Sequence, residues 1–355
     1  MNFFEKDKRT ALEAIEEAQR IVFAPVMFQA TRILRDSGIL KEVSQNRGGI
    51  SLDDLAAKIT DMSAYGVRVL AEAALGIGLF TEREGKYFIT KTGFFILNDQ
   101  LTRVNMDFVQ DICYKGMYHL EDSIRNGKPD GLKEIGPWAT IYEGLSKMPK
   151  NIAESWFSFD HYYSDAAFPE VLPLVFEKAP KTLLDIGGNT GKWTMQCFKY
   201  NPDVKITIMD LQGQLNMAQK NIDELGFGNR FTPFACNILD ESQVFPKGFD
   251  AVWMSQFLDC FSDDEIVSIL KRCLPALSPD GNVYILETFW DRQKFEASAF
   301  ALQQTSLYFT AMANGNSQMY DSRIFIKLVE KAGLKVVDQK DFVGLSHTLL
   351  VCKPA

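Results

Sequence analysis

Residues 185–191 (DIGGNTG) form the segment whose residue types most clearly indicate ligand chemistry. They follow a short apolar run and precede residues with helical spacing. Glycines at this point permit a tight turn and let a ligand approach the backbone at the carboxyl end of a strand. Asp210 ends the next apolar run, where a carboxylate can accept both hydroxyl hydrogens of a ribose. The pattern predicts a nucleoside site, and a plain strand-to-helix turn is the alternative.

The glycine spacing excludes two common nucleotide-binding motifs. A dinucleotide fingerprint requires G-x-G-x-x-G, and the phosphate loop of nucleotide hydrolases requires G-K followed by Ser or Thr. In this chain Gly191 and Lys192 are followed by Trp193. We therefore expect a nucleoside ligand that lacks a pyrophosphate.

Composition limits the other kinds of chemistry. The chain has three histidines and six cysteines, and no two cysteines form a C-x-x-C pair. Basic residues number 38 against 46 acidic ones, so the net charge of −8 gives no overall attraction to a polyanion. The N-terminal segment lacks the pattern of a signal peptide, and no apolar run approaches the ~20 residues that span a bilayer. These features predict a cytoplasmic protein without a metal, nucleic-acid or membrane partner.

The chain divides into three predicted regions: 1–104, 105–178 and 179–355. The first region has two helices followed by a hairpin that turns at Glu84 and Gly85, which is the order of a winged helix. A DNA-reading second helix would be basic, but this one has Arg68 as its single basic residue. The first region is therefore predicted to be a dimerisation domain, and the second a helical connector that lines a site.

The third region alternates short apolar runs with helical segments. The runs begin near residues 182, 204, 250 and 282, and this spacing predicts a doubly wound parallel sheet of the Rossmann type. Two further runs, at 335–340 and 346–352, predict a closing hairpin that adds an antiparallel edge. The fold class is α/β, preceded by the helical winged-helix domain.

Three segments of the chain carry a resemblance to a known family. Residues 184–191 (LDIGGNTG), 208–211 (IMDL) and 254–265 (MSQFLDCFSDDE) resemble, in order, the motifs of class I S-adenosylmethionine-dependent O-methyltransferases. The branch typified by plant caffeate and flavonoid O-methyltransferases and bacterial natural-product methyltransferases matches more closely. That branch has an N-terminal winged-helix dimerisation region. The resemblance implies S-adenosylmethionine (SAM) as methyl donor, S-adenosylhomocysteine (SAH) as product, a homodimer, and a small aromatic hydroxylated acceptor.

The resemblance also implies which residues contact the cofactor: Gly187, Gly188, Asp210, Leu211, Asn237, Ile238, Ser255 and Phe261. Gly187 would lie near the methionine part, Asp210 would hold the ribose, and Leu211 would pack on the adenine. Asn237 and Ile238 stand where the family usually has an Asp and an apolar residue that bind adenine. Ser255 matches a cofactor-proximal Lys or Ser, and Phe261 matches an aromatic beside the sulfonium. Ordinary core packing is the alternative for the apolar residues among them.

The catalytic motif departs from the family pattern. The family has roughly His-Asp-Trp-Ser-Asp-Glu after the fourth strand, and its His removes the proton from the acceptor hydroxyl. This chain has DCFSDD at 259–264, so Asp259 stands in place of the base. Of the two acids that usually orient that His, one matches Glu287, while the other falls close to Met319.

Several explanations of this departure remain open. Asp259 is the base if burial and Glu287 raise its pKa. Alternatively, no base is needed, or methyl transfer is lost and the protein is a cofactor- or metabolite-sensing regulator, or the cofactor serves other chemistry. His161 is a candidate substitute base, and Asp259 could instead be an acid that caps the helix starting at Asp263. Aromatic residues are expected to wall the acceptor pocket: Phe157, Tyr162, Tyr163, Trp290 and Tyr308.

Overall fold

The computed structural model describes residues 3–355, and the chain forms two compact units, Phe4–Val109 and Gln110–Ala355. Within residues 3–355, every helix is too short or too polar to span a bilayer. The three-region division drawn from the sequence stays a prediction.

The N-terminal unit is a helical domain with a small sheet. Its elements are α1 (Ala11–Asp36), α2 (Ile39–Gln45), β1 (Ile50–Ser51), α3 (Leu52–Lys58), α4 (Ala64–Ile77), β2 (Phe80–Arg83), β3 (Lys86–Ile89), α5 (Lys91–Asn98) and α6 (Gln100–Phe108). The antiparallel sheet has the order β1-β3-β2. The hairpin turns at Glu84 and Gly85, whose φ angles of 53° and 70° suit a type I′ turn. The predicted order of helix, helix and hairpin is confirmed.

The long helix α1 differs between its two ends. It begins after Thr10, which forms a capping box with Glu13. Near its C-terminus Leu34 is fully buried in the apolar core of the unit. The N-terminal half instead exposes large apolar side chains, with Leu12 at 67% and Val22 at 68% of their area. Several exposed apolar side chains on one helix segment are a feature that interaction surfaces share.

The C-terminal unit contains the large sheet and the helices that cover it. Its elements are α7 (Leu120–Asn126), α8 (Ile141–Gly144), α9 (Lys150–Ser164), α10 (Phe168–Val175), β4 (Thr182–Ile186), α11 (Lys192–Tyr200), β5 (Lys205–Asp210), α12 (Gln212–Glu224), β6 (Phe231–Ala235), β7 (Phe249–Ser255), α13 (Asp263–Cys273), β8 (Leu277–Glu287), α14 (Glu296–Tyr308), α15 (Ser322–Lys331), β9 (Leu334–Val343) and β10 (His347–Pro354).

The sheet has the strand order β6-β5-β4-β7-β8-β10-β9. Strands β6 to β8 in this order pair in parallel, whereas β10 pairs antiparallel with both β8 and β9. The order reverses between β4 and β7, which is the switch point where such sheets bind ligands. The predicted Rossmann-like sheet with an antiparallel C-terminal edge is confirmed, and β6 extends it beyond the predicted strands.

Apolar cores lie on both faces of this sheet. One core includes side chains of α13 and α15, and the other includes side chains of α10, α11 and α12. In the second core Trp193 of α11 stacks on Trp253 of β7, with the ring centroids 4.0 Å apart. Because both faces are covered, ligands reach the sheet at its strand ends.

The turn after β4 requires glycine at its first position. Gly187 has a φ of +73°, and a Cβ added there would lie 2.1 Å from Cδ2 of Phe257. Left-handed backbone destabilises a non-glycine residue by about 1–2 kcal/mol, and the clash adds to this. We expect Gly187→Ala to lower the free energy of unfolding by at least ~2 kcal/mol, measured by urea denaturation.

Gly226 supplies the matched control for this substitution. Its φ is +76°, but an added Cβ would meet nothing within 4 Å. Gly226→Ala should therefore show the backbone effect alone, about 1–2 kcal/mol. Equal losses in the two variants would show that the Phe257 contact does not restrict Gly187.

Candidate active site

The carboxyl ends of four neighbouring strands meet at one edge of the sheet, because β5, β4, β7 and β8 are parallel. Asp210 ends β5, Gly187 follows β4, Ser255 ends β7 and Glu287 ends β8. Asp259 follows β7 in the short turn Leu258–Cys260. Candidate residues from four separate strands therefore lie along the same edge.

Asp210 links the glycine-rich turn to the end of β5 through hydrogen bonds. Its Oδ2 accepts a hydrogen bond from the backbone N–H of Asn189 at 2.8 Å, and its Oδ1 accepts one from Leu211 at 2.7 Å. Burial raises the pKa of Asp210 to about 6, while these two bonds oppose the rise. The two hydrogen bonds favour the ionised carboxylate, which is the form that can accept further hydroxyl hydrogens.

The glycine-rich turn leaves polar atoms that a small ligand could satisfy. Among the described residues, Asn189 Oδ1 and Ser255 Oγ are buried and have no hydrogen-bond partner. Asn189 also has a φ of 49°, a left-handed value that is uncommon for a residue with a side chain. At Gly188 an added Cβ would lie 2.6 Å from Ile208 Cγ2, so glycine lets the turn pack closely on β5. These groups fit the polar parts of a nucleoside-type cofactor.

The segment after β7 is held against the strands beside it. Glu287 Oε1 accepts hydrogen bonds from the backbone N–H groups of Phe257 at 3.0 Å and Leu258 at 2.8 Å. The preceding residue, Gln256, has a φ of 47° and pairs through Oε1 with His347 Nε2 at 3.0 Å. Glu287 thus fixes the backbone of the turn that carries Asp259.

Asp259 is a buried carboxyl, with 4% of its area exposed. It does not cap the following helix, because Ser262 is the N-cap of α13 and forms a capping box with Glu265. Burial raises the pKa of Asp259. Burial and the nearby charge of Asp259 raise the pKa of Glu287 well above its ordinary value. Burial of the two carboxyls therefore favours their protonated forms, in contrast to exposed carboxyls.

Phenolic and aromatic side chains lie near Asp259. Burial, followed by the proximity of Cys260 and Tyr308, raises the pKa of Tyr142. Trp156 Nε1 donates a hydrogen bond to the Tyr308 hydroxyl at 2.8 Å. Burial also raises the pKa of Asp160 on α9, and the charge of Asp259 adds to this. These contacts place Tyr308, a predicted wall residue, in the same neighbourhood as Asp259.

His161 differs from what a general base requires. Its ring stacks on Phe157 with centroids 5.7 Å apart, and its Nε2 lies 3.8 Å from Asp160 Oδ2. Burial lowers the pKa of His161 to about 4, which weakens its ring as a proton acceptor. The described residues show no hydrogen bond or ion pair between His161 and Asp259.

The other predicted cofactor residues have varied surroundings. Asn237 is exposed, and its Oδ1 accepts a local bond from Leu239 N at 3.1 Å. Ile238 packs in part on the core beneath the sheet, and its carbonyl accepts a bond from Arg272. Phe261 is 7% exposed and belongs to the same core. For Asn237, Ile238 and Phe261, contact with a cofactor stays a prediction.

Sequence reasoning missed three residues that the structure brings to this edge. Phe257 packs on Gly187, and Tyr142 lies close to Cys260. Asp160 lies close enough to Asp259 for the charge of Asp259 to raise the pKa of Asp160. Phe257 is an apolar residue two positions after the end of β7, and this was the one sequence feature that indicated it. Nothing in the local spacing around Tyr142 or Asp160 distinguishes them from the other residues of helices α8 and α9.

Comparison with known proteins gives matches along most of the chain. A Dimerisation2-like domain matches residues 16–87, and an O-methyltransferase domain matches residues 117–335. L-tyrosine C(3)-methyltransferase from Streptomyces lavendulae is 22% identical over 311 residues, which cover 86% of this chain and 83% of that protein. 3-Hydroxy-5-methyl-1-naphthoate 3-O-methyltransferase from Streptomyces sahachiroi is 24% identical over 230 residues, 64% of each chain.

A solved structure supports the fold. NcsB1, an O-methyltransferase from neocarzinostatin biosynthesis in complex with SAM and 2-hydroxy-5-methyl naphthoic acid, aligns with a TM-score of 0.70 at 19% identity. The alignment covers 98% of this chain and 100% of that one. The O-methyltransferase match includes Gly187, Asp210, Asp259 and Glu287. The chain therefore belongs to the O-methyltransferase family of S-adenosylmethionine-dependent methyltransferases.

Proposed function

We propose that this protein transfers a methyl group from SAM to a small aromatic acceptor, with a hydroxyl oxygen as the favoured acceptor atom. The observation that carries the proposal is the placement of Asp210 and the buried Asp259 at one edge of the sheet. The first can hold a ribose, and the second can accept a proton. The named relatives act on tyrosine and on a hydroxynaphthoate, which supports an aromatic acceptor.

The residues at the ends of β4, β5 and β7 would hold the cofactor. Asp210 would accept the ribose hydroxyls, and the methionine part would lie near Gly187 and the Phe257 ring that packs on it. Leu211, which is partly exposed, would pack on the adenine, while Ser255 Oγ and Asn189 Oδ1 are free to bind polar groups. When bound, SAM supplies an electrophilic methyl group on a positively charged sulfur.

Asp259 would manage the proton of the acceptor. When the acceptor oxygen takes the methyl group and the donor leaves as SAH, the acceptor hydroxyl would lose its proton to the Asp259 carboxylate, which would later release that proton to solvent. Burial brings the pKa of Asp259 closer to that of a phenol, about 10, and so makes the transfer less unfavourable. Glu287 contributes by holding the turn through the N–H groups of Phe257 and Leu258.

Calorimetry followed by turnover tests the proposal. The purified protein is titrated with SAM and with SAH, and then incubated with SAM and a panel of phenols and hydroxynaphthoates. We expect both cofactor forms to bind and at least one acceptor to gain 14 mass units. Binding without any turnover would favour a cofactor-sensing regulator, and no binding by either form would exclude both activities.

Methyl transfer to carbon is a second candidate reaction. The relative that aligns with 86% of this chain is named for transfer to C3 of tyrosine. Asp259 could be the base in this reaction too, because removal of the phenolic proton raises the electron density at the ring carbon ortho to the oxygen. That carbon would take the methyl group as the donor leaves as SAH, and it would then lose its own hydrogen as a proton to solvent while the phenolic oxygen regains the proton held by Asp259. Nuclear magnetic resonance of the product distinguishes an O-methyl from a C-methyl group.

We also propose that the protein is a homodimer that buries the exposed part of α1. Ile15, Val22 and Val26 are each more than 60% exposed and share one helix face. Val22→Glu should therefore convert the dimer to a monomer, as measured by size exclusion with light scattering. Val337→Glu, at a residue 47% exposed on β9, is the control and should leave the dimer intact. If Val22→Glu remained a dimer, this interface would be contradicted.

The cytoplasmic location predicted from the sequence stays a prediction.

A further inference from the structure

The ring of Phe257 covers the first glycine of the cofactor turn. An ideal Cβ on Gly187 would lie 2.1 Å from Cδ2, 2.6 Å from Cε2 and 2.8 Å from Cγ of this ring. Phe257 is partly exposed, whereas Leu258, the next residue, is fully buried. Phe257 is therefore a ring at the surface of the strand-end edge, directly above the turn expected to approach the cofactor.

A second ring and one backbone hydrogen bond fix the position of Phe257, and a further hydrogen bond fixes the residue that carries the second ring. The ring centroid of Phe261 lies 4.9 Å away, with an interplanar angle of 65°. The N–H of Phe257 donates to Glu287 Oε1 at 3.0 Å, and the carbonyl of Phe261 accepts from the Tyr320 hydroxyl at 2.7 Å. The two rings thus hold a defined geometry before any ligand binds.

We propose that Phe257 discriminates between the charged methyl donor and its neutral product. This inference rests on the proposed function and concerns the same site. SAM and SAH share their nucleoside and amino-acid parts but differ by one methyl group and one positive charge. A cation is attracted to the face of an aromatic ring, and the attraction corresponds to about 2- to 30-fold in affinity. Phe257 would hold the sulfonium and lose that attraction once the methyl group has left.

The experiment compares the dissociation constants of SAM and SAH by isothermal titration calorimetry. Phe257→Leu keeps an apolar side chain but removes the aromatic ring, whereas Phe257→Tyr keeps an aromatic ring at this position. We expect the leucine variant to weaken SAM binding about 5-fold relative to SAH binding, and the tyrosine variant to retain the wild-type ratio. Phe245→Leu is the control, because Phe245 is 4% exposed in the core and its ring lies over Arg272.

Each other outcome overturns the inference. If Phe257→Leu weakened the binding of SAM and SAH equally, the ring would contribute through its shape and not through its attraction to a cation. If both ligands bound more tightly, the ring would instead hinder cofactor binding. If the ratio of the SAM and SAH dissociation constants also changed in Phe245→Leu, the change would reflect a general loosening of the apolar core. Wild-type protein that binds neither ligand would reject the proposed function as well, whereas unchanged ratios with good binding would reject this inference alone.

Discussion

We expect the Asp259→Asn variant to lose at least about 100-fold in kcat, because a positioned general base contributes about 10²- to 10⁴-fold. The amide keeps the size of the carboxyl group but does not accept a proton at neutral pH. The dissociation constant of SAH should stay unchanged, since the substitution leaves Asp210 and the glycine-rich turn intact. Steady-state turnover and calorimetry on the same preparation measure the two quantities.

The pH profile provides a second measurement of the same role. Burial raises the pKa of Asp259, so the carboxyl stays protonated to a higher pH than an ordinary aspartic acid. A base works in its deprotonated form, and kcat of the wild type should therefore fall as pH decreases through this raised pKa. In Asp259→Asn that acidic limb should be absent. A wild-type profile that stays flat down to the range of ordinary carboxyls would contradict the assignment.

Two further variants separate Asp259 from its neighbours in sequence and in space. Asp264→Asn changes an acid of the same segment whose side chain is 93% exposed, and it should leave kcat unaffected. His161→Ala removes the competing base and should have a small effect, because burial lowers the pKa of His161 to about 4. Full activity in Asp259→Asn together with a large loss in His161→Ala would transfer the role to His161.

The second large effect is expected at Asp210. Asp210→Asn should raise the dissociation constants of SAM and SAH together, by about 30-fold or more. Each hydrogen bond to a charged acceptor contributes about 1.5–3 kcal/mol, and both ligands contain the ribose. The new amide would also face the N–H of Asn189 or Leu211, which now donate to the carboxylate. Isothermal titration calorimetry measures both constants.

A surface aspartate near the other end of the same strand serves as control for Asp210. Asp203→Asn changes an exposed residue just before β5 and should leave both dissociation constants unaltered. Thermal unfolding of Asp210→Asn checks that the sheet remains folded. Affinities close to those of the wild type in a folded Asp210→Asn would remove the ribose-binding role.

The strand-end residues were accessible to sequence reasoning because they depend on short-range patterns. Apolar runs in the sequence predicted the parallel strands β4, β5, β7 and β8. The end of each run then indicated which residue lies at the end of the strand. Parallel pairing then requires that Gly187 and Asp210 meet at one edge. Strand β6 was missed because it contains Pro233 and is mostly exposed, so it lacks the apolar run of a central strand.

Contacts between distant segments were not accessible in the same way. The contact of Phe257 with Gly187 joins the ends of two strands, and the side-chain direction depends on a left-handed Gln256 that no local pattern requires. The family resemblance implied that Glu287 orients a base, but the structure shows its Oε1 bound to backbone N–H groups of the turn. The proximity of Asp160 to Asp259 depends on how α9 packs, which helical spacing does not define.

The position of β10 between β8 and β9 has a consequence for how this chain folds. β9 precedes β10 in the sequence but has no bond to β8, so the sheet remains in two pieces until β10 enters the gap. Pairing of β10 with β8 joins residues about 60 positions apart, such as Thr348 and Glu287. During synthesis on a ribosome, β8 would present an open edge until β10 emerges, and an unpaired edge of this kind can associate with other chains.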